Sequence, residues 1–343
     1  YFNGYYEGFF MKALVLHGPR DLRYENVPDP TPRGDWILVR VKRVGICGTD
    51  KAFYKGTYKP GKLPIILGHE IVGEVVDVGE NVSKDLIGRV VTTEINIPCR
   101  KCWYCLNGMY THCPYREVIG ISIDGGMAEY LVTRRDVIHF VDDLPPQKAV
   151  FTEPLAAIIE MIEMEPPKPL SRVAVIGLGP IGLLSIQVLK LLRPRLLVAV
   201  ARRDSPKAKL ARDLGADEVV LLEDLYDYLK RKTPEGQGFD YVVEATGDPS
   251  GLELATQITR PRGVVAAKST HGSPTTFNYT YAIVKELRII GSRCGPFDKA
   301  IELLRMGLIK TDPLVTGVYS LSRGVEAMEK SFERDQIKIH LIP

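Results

Sequence analysis

The chain has 343 residues, 45% of them hydrophobic and 25% charged, with a formal net charge of +3. That length is far above what a disulfide-stapled mini-protein needs and points to two domains, three at most. The composition is that of an ordinary globular protein and excludes wholesale disorder, and the small charge excess argues against a general polyanion binder, so no nucleic-acid partner is expected.

The first ten residues, YFNGYYEGFF, hold six aromatics but neither a basic start nor a leucine-rich stretch, so they do not read as a secretory signal. They read as a tag or extension, with Met11 as the native start. From there to about residue 150 short β-rich runs recur: KALVL at 12–16, WILVRVKRV at 36–44 and IVGEVVDVG at 71–79. Glycine, proline and Asp/Asn turns separate them, and no helical period is sustained.

The texture changes after Pro166-Pro167-Lys168-Pro169. RVAVIG at 172–177 is an apolar strand, 181–192 a helix-like apolar run, and LLVAVA at 196–201 a second buried strand. The run Val173–Leu192 is long enough to imitate a membrane span, but three glycines, a proline, Gln187 and Lys190 fit strand, turn and helix better, and no membrane partner is expected. SPKAKLARDLGA at 205–216 reads as a helix with Ser205 at the N-cap and Pro206 in the first turn. EVVLL, FDYVVEAT and RGVVAAKS continue the strands. This alternation predicts an α/β domain with a parallel sheet covered on both faces. A helix, FDKAIELLRMG, and a mixed tail ending in KIHLIP close the chain.

Four of the six cysteines form Cys99-x2-Cys102-x2-Cys105-x7-Cys113. Four thiolates at such short spacing can close a tetrahedron around a structural zinc and leave no open position; two disulfides are the alternative. Trp103 and Tyr104 between them read as loop packing. Cys294 has no partner in sequence and reads as a core thiol. Low cysteine density with metal-type spacing points to a reducing compartment, hence a cytoplasmic protein.

Gly177-Leu-Gly179-Pro180-Ile181-Gly182 is a GxGxxG motif that follows an apolar strand and opens a helix, the context required of a dinucleotide site. The first glycine makes the turn, the second lets backbone approach a pyrophosphate at the helix N-terminus, and the third packs helix on strand. Where an acid would bind the ribose 2′-hydroxyl of NAD, the chain reads Ala201-Arg202-Arg203-Asp204. Arginine there favours the 2′-phosphate of NADP, with NAD as the alternative through Asp204.

Two further motifs, GICGTD at 45–50 and LGHE at 67–70, place Cys47, His69 and Glu70 as a mixed thiolate, imidazole and carboxylate set. With the cysteine lobe, TEPLA at 152–156, GLGPIG at 177–182 and EATG at 244–247, they follow one another in the order of a known family. The chain resembles the zinc-containing medium-chain dehydrogenases, which include alcohol, polyol, threonine and glucose dehydrogenases, over essentially Met11–Pro343.

The resemblance implies a GroES-like β catalytic domain (11–155 with 297–343) carrying the zinc lobe at about 95–115, and a doubly wound Rossmann domain at 156–296. It implies two zinc ions. Cys47 and His69 would be catalytic ligands, with Glu70 or Glu153 as the carboxylate, directly or through water. Asp50 would orient His69, and Thr49 would carry the substrate hydroxyl proton. Thr246 joins Gly177, Gly179, Pro180, Ile181, Gly182, Arg202 and Arg203 in the cofactor site. One departure is Ala52, where many relatives carry a histidine that passes the proton to solvent; Lys51, a cofactor hydroxyl or water would have to serve. Lys268, beside the expected nicotinamide, reads either as a contact to a substrate hydroxyl or as a solvated strand end.

The implied activity is reversible hydride transfer between NAD(P) and a polyol, sugar or other secondary alcohol. L-threonine 3-dehydrogenase and a simple alcohol dehydrogenase are the alternatives, and a non-catalytic zinc-bearing binding protein is the opposing class. Zinc-free quinone reductases lack this ligand set and the lobe. Microbial relatives suggest a homo-dimer or homo-tetramer.

Overall fold

The computed structural model describes residues 10–343, so the reading of the N-terminal ten residues lies almost wholly outside the described residues. Two compact units emerge. One runs to Phe151 and takes back Gly317–Phe332 and Lys338–Pro343; the other comprises Thr152–Thr316 and Glu333–Ile337. The returning segment therefore divides near 316 rather than 297. The reason is packing: the helix Phe297–Arg305 buries Phe297, Ala300, Ile301 and Leu304 and lies against the helix Thr152–Met164 of its own unit.

The first unit is β-built. The alternating run at 36–44 forms the strand Trp36–Gly45, which pairs antiparallel with Glu70–Val78, Tyr130–Arg134 and the C-terminal strand Lys338–Ile342. In this seven-stranded sheet Val90–Thr93 and Ile138–Phe140 extend one side, and Val315–Ser320 the other. A smaller sheet pairs Phe10–Gly18 with Asp21–Pro28 and Ile65–Ile66. Leu14, Val44, Phe53, Ile71, Met127, Ile339 and Leu341 share one apolar core. Ile339 and Leu341 are 2% and 0% exposed, and burial of such side chains contributes about 1.5–3 kcal/mol each. They fix the strand that begins at Lys338.

The second unit has the predicted parallel sheet. Its six strands run in the order Glu218–Leu221, Leu196–Ala201, Arg172–Ile176, Phe239–Glu244, Thr259–Ala267, Arg288–Gly291. The order reverses direction beside the first strand of the unit, the doubly wound arrangement. Val173–Leu192 resolves into the strand Arg172–Ile176 and the helix Pro180–Leu191. Among the described residues no helix is long and apolar enough to cross a membrane. The helix Pro206–Asp213 starts as predicted, with Ser205 Oγ accepting the Ala208 N–H at 3.3 Å.

Candidate active site

Cys47 and His69 are brought together by neighbouring strands and one short helix. Trp36–Gly45 and Glu70–Val78 pair so that Gly45 faces Glu70, which sets the chain just beyond Gly45 beside the chain just before Glu70. Cys47 then caps the helix Gly48–Lys55. Sequence reading missed this helix because eight residues with Ala52, Phe53 and Tyr54 as the apolar side show too little repeat to register a period.

Asp50 ties the two segments. It is fully buried; Oδ2 accepts the Cys47 N–H at 2.8 Å and Oδ1 the Gly68 N–H at 3.3 Å. Its Oδ1 also lies 3.7 Å from Nδ1 of His69, an ion-pair separation rather than a hydrogen bond, and His69 is 3% exposed. Burial pushes the Asp50 carboxyl above its ordinary range, against the opposing pull of His69 and of the Cys47 and Gly68 amides. Asp50 thus ties together the backbone on which both side chains stand. Thiolate and imidazole are donor types suited to zinc.

The other expected residues fall as follows. Thr49 is half-buried in the first helical turn, and Ala52 is buried. Lys51 donates from its Nζ to the Ser331 carbonyl at 2.7 Å and sits 4.9 Å from the Phe332 ring centre. Glu70 is 2% exposed, with both carboxylate oxygens 2.7 Å from Nζ of Lys338. Sequence reading had left Lys338 in a mixed tail; nothing local in KIHLIP signals a partner so distant in the chain. Glu153 occupies the first turn of the helix Thr152–Met164 in the second unit.

The cysteine lobe closes on itself. Sγ of Cys99, Cys102, Cys105 and Cys113 all lie within 4.8 Å of one another, with Cys102 3.5 Å from Cys105 and 3.7 Å from Cys113. Those separations suit four thiolates on one tetrahedral zinc. All six cysteines are free of disulfides. Trp103 and Tyr104 are exposed, 65% and 42%, and meet each other edge to face rather than packing inward.

In the second unit the glycine loop has the geometry of a pyrophosphate cradle. Gly177 adopts φ +92°, and a Cβ there would strike the Ala245 carbonyl oxygen at 2.4 Å. Gly182 packs so tightly that a Cβ would meet the Gly177 oxygen at 1.8 Å. Gly179, at the helix N-cap, has nothing within 4 Å of a built Cβ: the open space lies where a phosphate would approach. Pro180 and Ile181 form the first turn of that helix, half-buried. Arg202 and Arg203 are exposed just past the strand Leu196–Ala201. Arg203 pairs with Asp335 at 3.4 Å. The Asp248 carboxyl is held low mainly by Ser250, with a further pull from Arg202. Thr246 donates N–H and Oγ–H to Oε1 of Glu244, at 2.8 and 2.6 Å.

Two expectations need correction. Lys268 is not a solvated strand end: its ammonium donates to the Ala157 carbonyl (2.7 Å) and to the Ser292 carbonyl and hydroxyl (both 2.8 Å). Burial pushes its pKa down to about 8. Cys294 is half-buried rather than in the core.

Residues 33–143 match the alcohol dehydrogenase GroES-like domain family and residues 180–307 the zinc-binding dehydrogenase family. The chain belongs to the zinc-containing medium-chain dehydrogenases, and is an oxidoreductase of that fold. It is 34% identical to D-arabitol-phosphate dehydrogenase of Enterococcus avium, over 96% of both chains. It is 32% identical to sorbitol dehydrogenase of Halalkalibacterium halodurans, over 97% of this chain and 99% of that one. Among solved structures, galactitol-1-phosphate dehydrogenase from Escherichia coli superimposes with a TM-score of 0.88 at 27% identity, covering 97% of this chain and all of the other.

Proposed function

We propose that this dehydrogenase oxidises a secondary hydroxyl of a polyol or polyol phosphate, reversibly, with NADP as the preferred acceptor. The observation that carries the reading is the Cys47–Asp50–His69 arrangement, in a chain matched end to end by relatives named for polyol and polyol-phosphate dehydrogenation.

Cys47 and His69 would hold the catalytic zinc and the four-cysteine lobe a second, structural one. Glu70 is the carboxylate next in sequence to His69, and in the absence of metal both its oxygens lie on Lys338. Bound zinc supplies a Lewis acid that lowers the pKa of an alcohol, and the nicotinamide supplies the hydride acceptor. The protein's own residues then have defined tasks. Asp50 holds Cys47 and His69 in place, Thr49 takes the hydroxyl proton outward, and Gly177, Gly179 and Gly182 admit the pyrophosphate to the helix N-terminus. Beyond Thr49 the proton path continues through Lys51, a cofactor hydroxyl or water.

Arg202 is read as the residue that meets the 2′-phosphate, Arg203 being shared with Asp335. Alcohols, polyols, polyol phosphates, aldoses and threonine, each assayed with NADP and NAD through nicotinamide absorbance, test the substrate reading; threonine as best substrate overturns it. Arg202→Asp should lower kcat/KM with NADP by about 10–100-fold, the worth of a charge-assisted phosphate contact, and leave NAD turnover in place. An unchanged NADP/NAD ratio sinks the cofactor assignment.

A further inference from the structure

The sheet of the second unit divides at its reversal point. Arg172–Ile176, Leu196–Ala201 and Glu218–Leu221 form one half; Phe239–Glu244, Thr259–Ala267 and Arg288–Gly291 form the other. A dinucleotide binds across the carboxyl ends of such a sheet, one nucleotide to each half. The glycine loop after Ile176 and Arg202 after Ala201 belong to the first half, read here as the adenosine side. That leaves the other three strand ends for the nicotinamide nucleotide. They lie level with one another, since Glu244 faces Ala267 and Ala267 faces Gly291.

A buried carboxylate and a half-buried ammonium lock those ends together. Glu244 is 3% exposed, and its Oε1 accepts the hydroxyls of Thr246 at 2.6 Å and Ser269 at 2.8 Å. Ser269 Oγ in turn accepts the Gly247 N–H at 2.8 Å. The first end is thereby joined to the second. Lys268 joins the second to the third. Its N–H donates to the Glu244 carbonyl at 2.8 Å, and its ammonium to the carbonyl and hydroxyl of Ser292, the residue just past Gly291. The same ammonium holds the Ala157 carbonyl, which brings the helix Thr152–Met164 onto the strand ends. Ala157 shares a face of that helix with Glu153 and Glu160. Those two carboxylates and Cys294 draw the Lys268 pKa upward, against the stronger opposing effect of burial.

We propose that Lys268 is a positioning residue for the nicotinamide half of the cofactor site: by pinning Ser292 and Ala157 it fixes the strand ends that receive that nucleotide. The inference rests on the reading of the second unit as an NADP site. Its physical basis is that the ladder between the last two strands ends at Ala267 and Gly291, and beyond it one charged donor with three acceptors keeps the segments in register. Hydride transfer tolerates little misplacement, so a preset floor under the reacting ring is worth more than the same order elsewhere.

The test separates the two halves by probe. Calorimetry on the full-length protein measures NADP, which spans both halves, and 2′,5′-ADP, which carries the adenosine 2′-phosphate alone. In Lys268→Met the Kd for NADP should rise by about tenfold while that for 2′,5′-ADP stays within about twofold. The fluorescence of bound NADPH, which comes from the nicotinamide ring, should move toward that of free NADPH. Lys268→Arg, which keeps a cationic donor, should recover both. Wild-type NADP affinity and NADPH fluorescence in Lys268→Met overturn the proposal. So does an equal loss for the two probes, which would make the lysine a support of the whole unit. If that variant fails to fold, Lys268→Gln decides by the same comparison. A wild-type protein that takes NAD instead of NADP fails the cofactor reading alone, and NAD against 5′-AMP then repeats the comparison.

Discussion

The cysteine lobe and the Cys47–His69 site sit in the same unit and offer overlapping donor chemistry, but they are built in opposite ways. The lobe takes four ligands from fifteen consecutive residues, framed by the short pair Asn96–Ile97 and Glu117–Val118. Its geometry is local, its donors are all thiols, and it closes. The Cys47–His69 site takes its donors from two strand ends and its supports from elsewhere: Asp50 on a helix, Lys338 from the far end of the chain. It holds buried charges of both signs beside its donors. A closed local set suits a metal that only ties a loop; a set braced by an outer shell of fixed charges suits a metal that must keep a position open for substrate.

The sharpest way to break this contrast is to remove one donor from each. Cys47→Ser should cut turnover by more than the about 100-fold that a lost outer contact costs, while the lobe stays filled and the melting temperature barely moves. Cys113→Ser should do the reverse. The lobe metal is lost and melting falls by about 5 °C or more, yet kcat per folded molecule holds within about twofold. Metal content, melting curves and initial rates on both proteins check the pair. If Cys113→Ser abolishes turnover in folded protein, the lobe is not merely structural.

Asp50→Asn probes the bracing with a smaller effect. The amide keeps an oxygen for one backbone N–H but loses the second acceptor and the charge. Zinc affinity at the Cys47–His69 site, or kcat, should fall by about 10–100-fold, with the lobe unaffected. Equal loss at both metals would mean that Asp50 supports the whole unit and not this site.

What the sequence made legible follows the same division. Spacing within a few residues reported backbone geometry faithfully: GLGPIG turned where Gly177 requires it, Ser205 capped its helix, and the four cysteines converged. Cys47 and His69 were legible through family motifs rather than through spacing. The Glu70–Lys338 pair was invisible, because a lysine in a β-rich tail carries no sign of a carboxylate 268 residues away. The helix Gly48–Lys55 was lost to its brevity, and Lys268 to the habit of placing lysine in solvent; tertiary acceptors decided both its burial and its partners.

Lys268 extends the contrast to a half-buried lysine of the other unit. Lys338 is compensated by a carboxylate, whereas Lys268 is met by two carbonyls and a hydroxyl, all neutral. Burial then lowers its pKa from 10.5 to about 8. Below pH 8 the charged form is present in both folded and unfolded chains, and its burial opposes folding in full. Between pH 8 and 10.5 the folded chain has released the proton while the unfolded chain still holds it, so this residue makes stability rise with pH across that window. Lys268→Met removes the titrating group and should flatten that part of the profile, as measured by denaturant unfolding at pH 7, 8, 9 and 10. An unchanged slope would mean that the three acceptors hold the ammonium as well as a carboxylate does, and the difference between the two lysines would disappear.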